Sequence, residues 1–157
     1  MDQRVSVVIP SFSGIDFLKE NLPHVLRLGA DEIIIINDAS TDSTAEFLAA
    51  NYPKIKVITH YQNLGFPLSV NEGFYMAQSP FVLLLNQDVS PANDLIPNSL
   101  IHFKSNKVFA VTFNDGQNSW ATSKFTFGFI QYGNGSPKVL HSSFWASGGA
   151  GLFKKST

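Results

Sequence analysis

Two amides and a carboxylate, Asn86, Gln87 and Asp88, directly follow the apolar run of residues 81–85. A short, continuous apolar run predicts a buried parallel strand. Ligands of open α/β sheets bind just beyond the carboxyl ends of such strands, so Asp88 is expected where a ligand would lie. A carboxylate there can hold a divalent cation, and the cation can hold phosphate oxygens. The alternative is that Asp88 only caps the turn that follows the strand.

A second carboxylate, Asp38, follows the apolar run of residues 32–36. It could accept hydrogen bonds from a nucleobase N–H or a sugar hydroxyl, as an acidic residue does in dinucleotide sites. The alternative is that Asp38 caps the helix that comes next. A third apolar run, residues 5–9, leads into Pro10, Ser11 and Phe12. Three strand ends therefore point to one edge of a sheet, and this coincidence favours a ligand site.

The elements that must position these residues alternate along the chain. Apolar runs predict strands at residues 5–9, 32–36, 54–60, 81–85 and 108–113. Helical spacing predicts helices at residues 15–28, with a kink or restart at Pro23, and at residues 44–50, 67–78 and 93–105. This alternation predicts a mostly parallel sheet with helices on both faces. Beyond residue 114 the pattern changes, and residues 124–132 predict an edge hairpin or a mixed-sheet extension.

Composition limits the class of protein. The chain has 157 residues, which fits one domain, and 44% of them are hydrophobic. The net charge is −1, so nothing in the overall charge favours nucleic acid as a partner. There are no cysteines, no apolar run reaches the ~20 residues that span a bilayer, and no signal peptide is expected. The expected location is the cytoplasm, with the inner face of the membrane as the alternative.

The order of the motifs resembles that of family 2 glycosyltransferases, which have the GT-A fold. The resemblance lies in the opening strand with Pro10-Ser11-Phe12, the Asp38-x-Ser40-x-Asp42-x-Thr44 turn, Asn63-Leu64-Gly65 with Asn71 and Gly73, the segment Leu85-Asn86-Gln87-Asp88, and the small residues 147–151 before Leu152. It covers nearly all of residues 4–155. It implies an α/β, Rossmann-like, mostly parallel sheet with a mixed or antiparallel extension near the C-terminus.

The same resemblance implies roles for individual residues. Pro10, Ser11 and Phe12 would line the nucleotide base, and Asp38 would hydrogen-bond that base, usually uracil. Asn63, Gly65 and Asn71 would lie near the nucleotide. Asp88 would bind a divalent metal, Mn²⁺ or Mg²⁺, that bridges the diphosphate. Asn86 replaces the first acid of the family's metal motif, but its amide oxygen can still contact ribose or a metal-bound water.

The implied reaction is transfer of a sugar from a nucleoside diphosphate sugar, most typically a UDP-sugar, to a hydroxyl acceptor such as a glycan or lipid-linked sugar. Such a transfer needs a base, and the family supplies a downstream carboxylate. Beyond Asp94 the only acidic residue of this chain is Asp115, which precedes the small residues 147–151. The base is therefore expected beyond Thr157. Residues 1–157 are then a single donor-binding domain, truncated before the acceptor half. The alternative is a non-catalytic nucleotide-binding or interaction module that retains the fold.

Other candidate residues give weaker evidence for a functional site. His24, His60, His102 and His141 do not have a metal-ligand spacing, and residues 147–151 predict a tight turn rather than a phosphate cradle. A set of aromatic residues in the C-terminal third predicts an uncovered surface and self-association, unless these rings fold back into the core. The set comprises Trp120, Phe125, Phe127, Phe129, Tyr132, Phe144, Trp145 and Phe153.

Overall fold

The computed structural model describes residues 2–105, 107–114, 121–134, 136, 138–140, 142–143, 146 and 148–155. The strands are β1 (Val5–Ser11), β2 (Glu32–Asn37), β3 (Lys56–Thr59), β4 (Phe81–Leu85), β5 (Ala110–Thr112), β6 (Ala121–Thr126), β7 (Phe129–Asn134) and β8 (Ala150–Lys154). The helices are α1 (Ile15–Leu26), α2 (Thr44–Asn51), α3 (Phe66–Met76) and α4 (Leu95–Leu100), and a 3₁₀ turn (Ile101–Lys104) follows α4. Within the described residues, no helix has both the length and the apolar character to cross a bilayer.

A six-stranded sheet in the order β3-β2-β1-β4-β8-β5 forms the centre of the molecule. β1 pairs in parallel with β2 and β4, and β2 pairs in parallel with β3. β8 runs antiparallel to both of its neighbours, β4 and β5. The mostly parallel sheet and its antiparallel extension, both predicted from the sequence, are therefore confirmed.

The antiparallel extension lies near the C-terminus, as predicted, but β8 forms it rather than residues 124–132. The prediction of a tight turn is wrong for Ala150 and Gly151, which open β8 and pair with Leu85 and Leu84 of β4. Hydrogen bonding to a strand on each side outweighs the low strand preference of glycine. The segment of residues 124–132 does form a hairpin, but β6 and β7 make a separate two-stranded sheet instead of an edge of the central one.

β1 is also longer than predicted, because it continues through Pro10 to Ser11. Proline cannot donate a ladder hydrogen bond and is usually confined to positions with a free edge. β1 pairs with β4 only as far as Val8, while its pairing with β2 continues to Ser11. The missing N–H of Pro10 is tolerated because one side of the strand has no partner there.

Helices cover both faces of the sheet, as the near-continuous apolar strands predict. Alternate residues of each strand face opposite sides and form two buried clusters. One cluster joins the strands to α1, α2 and α4 and includes Val7, Ile9, Ile35, Leu83, Leu85, Leu18, Leu22, Leu48 and Ile96. The other joins them to α3 and includes Val8, Ile34, Ile36, Val82 and Leu84, with Val70 and Phe74 packed against them.

Close contact between α3 and β1 depends on Gly73. A Cβ atom at this position would overlap Cγ1 of the buried Val8. We expect Gly73→Ala to lower the free energy of unfolding by about 1–3 kcal/mol through overpacking, even though alanine favours a helix by about 1 kcal/mol over glycine. Urea unfolding measures the change. The control is Tyr75→Ala, since Tyr75 lies on the same helix and is 83% exposed. A Gly73→Ala protein as stable as the wild type would show that α3 can move away from β1 without loss.

The strand order places a crevice at one end of the sheet. From β1 the chain proceeds to β2 and β3 on one side, and then returns to β4 on the other side of β1. Ligands of open α/β sheets bind at such a reversal, outside the carboxyl ends of the strands. The residues at those ends are Ser11 for β1, Asn37 and then Asp38 for β2, and Leu85 and then Asn86 for β4.

Candidate functional site

An open cleft of about 340 Å³ lies at this crevice. It is lined by Pro10, Ser11, Phe12, Asp38, Asn63, Gly65, Phe66, Ser69, Asn86, Gln87 and Asp88. The structure thus brings together eight of the nine site residues that the sequence indicated. They come from the ends of β1, β2 and β4 and from the turn before α3.

The ninth residue, Asn71, does not line the cleft. It lies exposed on α3, two positions after the buried cleft residue Ser69. Two residues correspond to about 200° of rotation around an α-helix, so the two side chains leave the helix on different sides. Motif order predicts that Asn71 lies near the nucleotide, but motif order does not contain this rotation of the helix.

Gln87 lies at the sheet edge that the sequence indicated, but its own role was missed: it ties β4 to β1. Its Oε1 accepts hydrogen bonds from Ser11 Oγ at 2.8 Å and from the Phe12 N–H at 3.2 Å, and its Nε2 donates to the Phe12 carbonyl at 3.3 Å. A Cβ atom at Gly14 would overlap the Gln87 amide, so the small residue leaves room for it. Phe66 and Ser69, in the first turns of α3, were missed as well, because helical spacing alone does not distinguish a cleft wall from a core contact.

Asp38 is 4% exposed and holds the turn before α3. Its Oδ1 accepts from the Leu64 N–H at 2.8 Å, and its Oδ2 accepts from the Gly65 N–H at 2.8 Å. Burial alone would raise the pKa of Asp38, but the hydrogen bonds from Leu64, His60 and Gly65 together hold that pKa below its ordinary value. The carboxylate therefore stays ionised, and Oδ2 retains a lone pair for a ligand donor.

The helix-capping alternative for Asp38 is not what the structure contains. Local bonds at the start of α2 are made by Asp42, whose Oδ1 accepts from the Thr44 N–H at 3.1 Å and from Thr44 Oγ1 at 2.5 Å. Oδ2 of Asp42 accepts from the Ile15 N–H at 3.0 Å and so joins α2 to α1. Burial acts to raise the pKa of Asp42, and these hydrogen bonds lower it overall. Asp42 is therefore the acid of this motif that stabilises the start of α2, whereas Asp38 lines the cleft.

Asn86 carries an unusual acceptor. Its N–H donates to the Gly149 carbonyl at 2.9 Å, which fixes the backbone between β4 and β8. Its side-chain Oδ1, however, is buried and has no hydrogen-bond partner among the residues that the structure describes. Buried polar atoms without a partner are rare in native proteins, and each one calls for an explanation. A ligand hydroxyl or a cation in the cleft would satisfy this oxygen.

Asp88 is exposed at the mouth of the cleft, and the turn beside it is closed by a main-chain bond from the Val89 N–H to the Asn86 carbonyl at 3.1 Å. Across the described ranges, no three His, Cys, Asp or Glu side chains are grouped as a metal site. Two hard oxygens, from Asp88 and Asn86, still suit a Mg²⁺- or Mn²⁺-type ion that takes its remaining ligands from phosphate and water. The oxygens of Asp88 and Asn86 therefore suit an ion that a phosphorylated ligand also coordinates.

Comparison with known proteins gives consistent results. The profile described as Glycosyl transferase family 2 matches residues 6–156. The uncharacterized glycosyltransferase YibD of Escherichia coli is 32% identical over 90 residues, which are 54% of this chain and 26% of that protein. The putative teichuronic acid biosynthesis glycosyltransferase TuaG of Bacillus subtilis is 30% identical over 102 residues, 61% of this chain and 40% of that protein.

Solved structures show the fold. The mannosyltransferase PcManGT from Pyrobaculum calidifontis, in complex with GDP-Man and Mn²⁺, superposes with a TM-score of 0.64 at 21% identity and covers 73% of this chain and 36% of its own. S. aureus TarS 1–349 in complex with UDP-GlcNAc superposes with a TM-score of 0.62 at 19% identity. The match covers 71% of this chain and 34% of the TarS chain. The GT-A fold predicted from the sequence is confirmed. The chain spans between about a quarter and two fifths of the length of these proteins.

Proposed function

This chain belongs to glycosyl transferase family 2, and on that premise we propose that it is the donor-binding domain of an enzyme that transfers a sugar from a nucleoside diphosphate sugar to a hydroxyl acceptor. The observation that carries the proposal is the cleft, in which the ionised Asp38, the orphaned Asn86 oxygen and the exposed Asp88 meet. The complexes of related folds with GDP-Man and UDP-GlcNAc support a nucleotide sugar as the ligand.

Each end of the cleft suits one part of such a donor. Phe12 is 47% exposed and offers a ring face against which a base can stack. Pro10 and Ser11 flank it, and Oδ2 of Asp38 accepts the imide N–H of uracil, which makes a uridine nucleotide the proposed donor. Asn63 and Gly65 also line the cleft.

The diphosphate lies at the other end of the cleft. Asp88 and Asn86 would hold the divalent ion there, and the ion, when bound, neutralises the charge of the leaving diphosphate. The two carboxylates of the cleft, Asp38 and Asp88, are thus both assigned to the donor. The proposal leaves the base that deprotonates the acceptor hydroxyl outside the described residues. It also leaves the acceptor, a glycan or lipid-linked sugar, and the cytoplasmic or inner-membrane location to be tested.

Calorimetry with uridine diphosphate, with and without Mn²⁺, tests the proposal. We expect binding that tightens with the metal, and weaker binding of guanosine diphosphate. No binding of any nucleoside diphosphate, with or without metal, would refute it. Release of uridine diphosphate from a UDP-sugar then separates an enzyme from a module that binds without turnover. Absence of nucleotide binding would favour an interaction module that retains only the fold, the alternative for which Asn86 in place of an acid is the argument.

Self-association through the hairpin is a further expectation. Large apolar side chains of β6, β7 and their turn are mostly exposed: Phe125 by 77%, Phe127 by 95%, Phe129 by 73% and Ile130 by 57%. Monomeric proteins rarely expose a contiguous apolar patch of this kind. We expect concentration-dependent dimers in sedimentation experiments, and fewer of them for Phe127→Ser than for the control Tyr75→Ser on α3. A chain that stays monomeric at every concentration would contradict this.

Not every aromatic ring of the C-terminal region is uncovered. Phe153 packs edge-on against Phe74 at 5.4 Å between ring centroids and against Phe109 at 6.0 Å, so this ring folds back onto the core. Trp120, Phe144, Trp145 and the side chain of Tyr132 lie outside the described residues. The proposed surface therefore consists of the hairpin tip alone.

A further inference from the structure

His60 lies between two carboxylates beneath the cleft. Its Nδ1 is 2.6 Å from Oδ1 of Asp38, and its Nε2 is 2.5 Å from Oε2 of Glu72. The His60 side chain is only 8% exposed, and it is not part of the cleft lining. The residue follows β3 directly, and its N–H donates to the Asn37 carbonyl at 2.9 Å, which fixes the backbone from which the ring projects.

This arrangement favours a ring that carries two protons. A neutral imidazole has one N–H donor, whereas the imidazolium has two. Both neighbours of the His60 ring are carboxylate oxygens, which accept hydrogen bonds when ionised. The charged groups that face the ring are Asp38 from the end of β2 and Glu72 from α3, and their hydrogen bonds raise the pKa of His60 above its ordinary value against the opposing effect of burial.

The imidazolium restricts how Asp38 can turn. Oδ1 of Asp38 is held by the ring and by the Leu64 N–H, which leaves Oδ2 with the Gly65 N–H and the free lone pair at the cleft. Glu72 in turn holds the ring from α3. A continuous chain of charge-assisted hydrogen bonds therefore runs from the helix to the acid at the cleft, and bonds of this type are stronger than neutral ones.

We propose that His60 and Glu72 are positioning residues for Asp38: the ring, held by α3, sets which carboxylate oxygen faces the nucleotide base, so that base recognition depends on two side chains outside the cleft. This inference rests on the proposed donor-binding function. It extends that function by connecting α3 to recognition of the base.

Two conservative variants test the proposal in the complete chain. His60→Gln keeps one hydrogen bond at most, and Glu72→Gln removes a charge without removing the side chain. We expect His60→Gln to weaken uridine diphosphate binding by about tenfold, the equivalent of one hydrogen bond to a charged group. At low pH, Glu72→Gln should weaken uridine diphosphate binding less than His60→Gln does. His24→Gln and Glu46→Gln, which change a histidine of α1 and an exposed acid of α2, are the matched controls and should bind like the wild type.

The pH profile separates positioning from a merely structural role. Because the folded pKa of His60 is raised, the imidazolium persists below that value and is lost as the pH rises through it. Affinity for uridine diphosphate should therefore be constant at low pH and should fall as the pH rises through that transition. In Glu72→Gln the fall should move to lower pH, since one of the two carboxylates is gone. In His60→Gln this step should be absent.

A second readout needs no nucleotide. Nitrogen NMR of the free chain follows the His60 ring, and the amide shifts of Leu64 and Gly65 report on Asp38, because both amides donate to it. Glu72→Gln should lower the ring's titration midpoint and shift both amides. A His60 that titrates as an ordinary imidazole, or a Glu72→Gln variant that leaves the midpoint and both amides unchanged, would overturn the proposal. If the wild type binds no nucleotide but these shifts occur, the donor-binding function fails while the positioning of Asp38 stands.

Discussion

In the Asp38→Ala variant, we expect the free energy of unfolding to fall by about 3 kcal/mol, the lower end of what removal of one partner of a buried charge pair costs. The variant leaves the Leu64 and Gly65 N–H groups without an acceptor and leaves His60 facing Glu72 alone. Because Asp38 and Gly65 line the cleft, binding of uridine diphosphate should be lost as well. Urea unfolding and calorimetry measure the two effects on the same protein.

Two comparisons sharpen this result. Asp38→Asn retains one carbonyl oxygen, but it places an NH₂ group where donors already point, so its loss of stability should lie between those of the wild type and the alanine variant. Asp16→Ala, which removes the carboxylate of a side chain that is 91% exposed, should change stability little. An Asp38→Ala protein with wild-type stability would mean that the turn at residues 63–65 does not depend on this acid.

The acid limb of the stability curve gives an independent measure of Asp38. The pKa of this carboxyl is lower in the folded chain than its ordinary value; burial opposes the shift, and the hydrogen bonds from Leu64, His60 and Gly65 produce it. Its contribution to stability is therefore fully present above the ordinary pKa and is lost as the pH falls through the folded one. Asp38→Ala should accordingly flatten the fall in stability on the acid side.

The second large effect concerns Asp88. We expect Mn²⁺ to tighten uridine diphosphate binding to the wild type by more than about tenfold, or ~1.4 kcal/mol, and we expect Asp88→Ala to abolish that gain. Asp88 is the exposed carboxylate at the end of the cleft proposed for the diphosphate, and it has no hydrogen bond among the described residues. The variant should therefore retain its folding stability to within about 0.5 kcal/mol, which separates loss of the ion from loss of the fold.

Asn86→Asp provides the opposite change at the same place. It adds a second carboxylate beside Asp88 and should raise the affinity for Mn²⁺, since affinity of hard cations rises with ligand charge. Asp16→Ala again serves as the exposed control. If Asp88→Ala keeps the full metal dependence of the wild type, the ion is held elsewhere and the assignment of Asp88 is wrong.

Much of this site could be predicted because its position follows from local sequence patterns. Each apolar strand ends abruptly at polar residues, and parallel strands place those ends together, so Ser11, Asp38 and Asp88 could be assigned to one edge without coordinates. The role of Gln87 could not be recognised, because it depends on hydrogen bonds to Ser11 and Phe12, which are far away in sequence. The same holds for His60, which no metal-ligand spacing singled out, and whose partners come from two other elements.

The errors have the same origin. The segment Ala150–Lys154 contains glycine and alanine at positions where an isolated strand would be weak, and only its two neighbours make it a strand. Motif order predicts that Asn71 lies near the nucleotide, but the direction of its side chain is set by the rotation of α3, which motif order does not contain. Local patterns thus predict where a strand ends, but they do not predict which distant residue pairs with it.

The position of β8 has a consequence for how the protein is made. All five residues of β4 are buried. Among the described residues, the edge of β4 away from β1 pairs only with β8, from Phe81 with Lys154 to Leu85 with Ala150. At about 5–20 residues per second, a ribosome needs roughly several seconds to pass from one strand to the other. Throughout that interval the nascent chain exposes an unpaired, wholly apolar strand edge, which is a template for aggregation. Yield of the folded protein should therefore respond to translation speed and to chaperones that shield nascent chains.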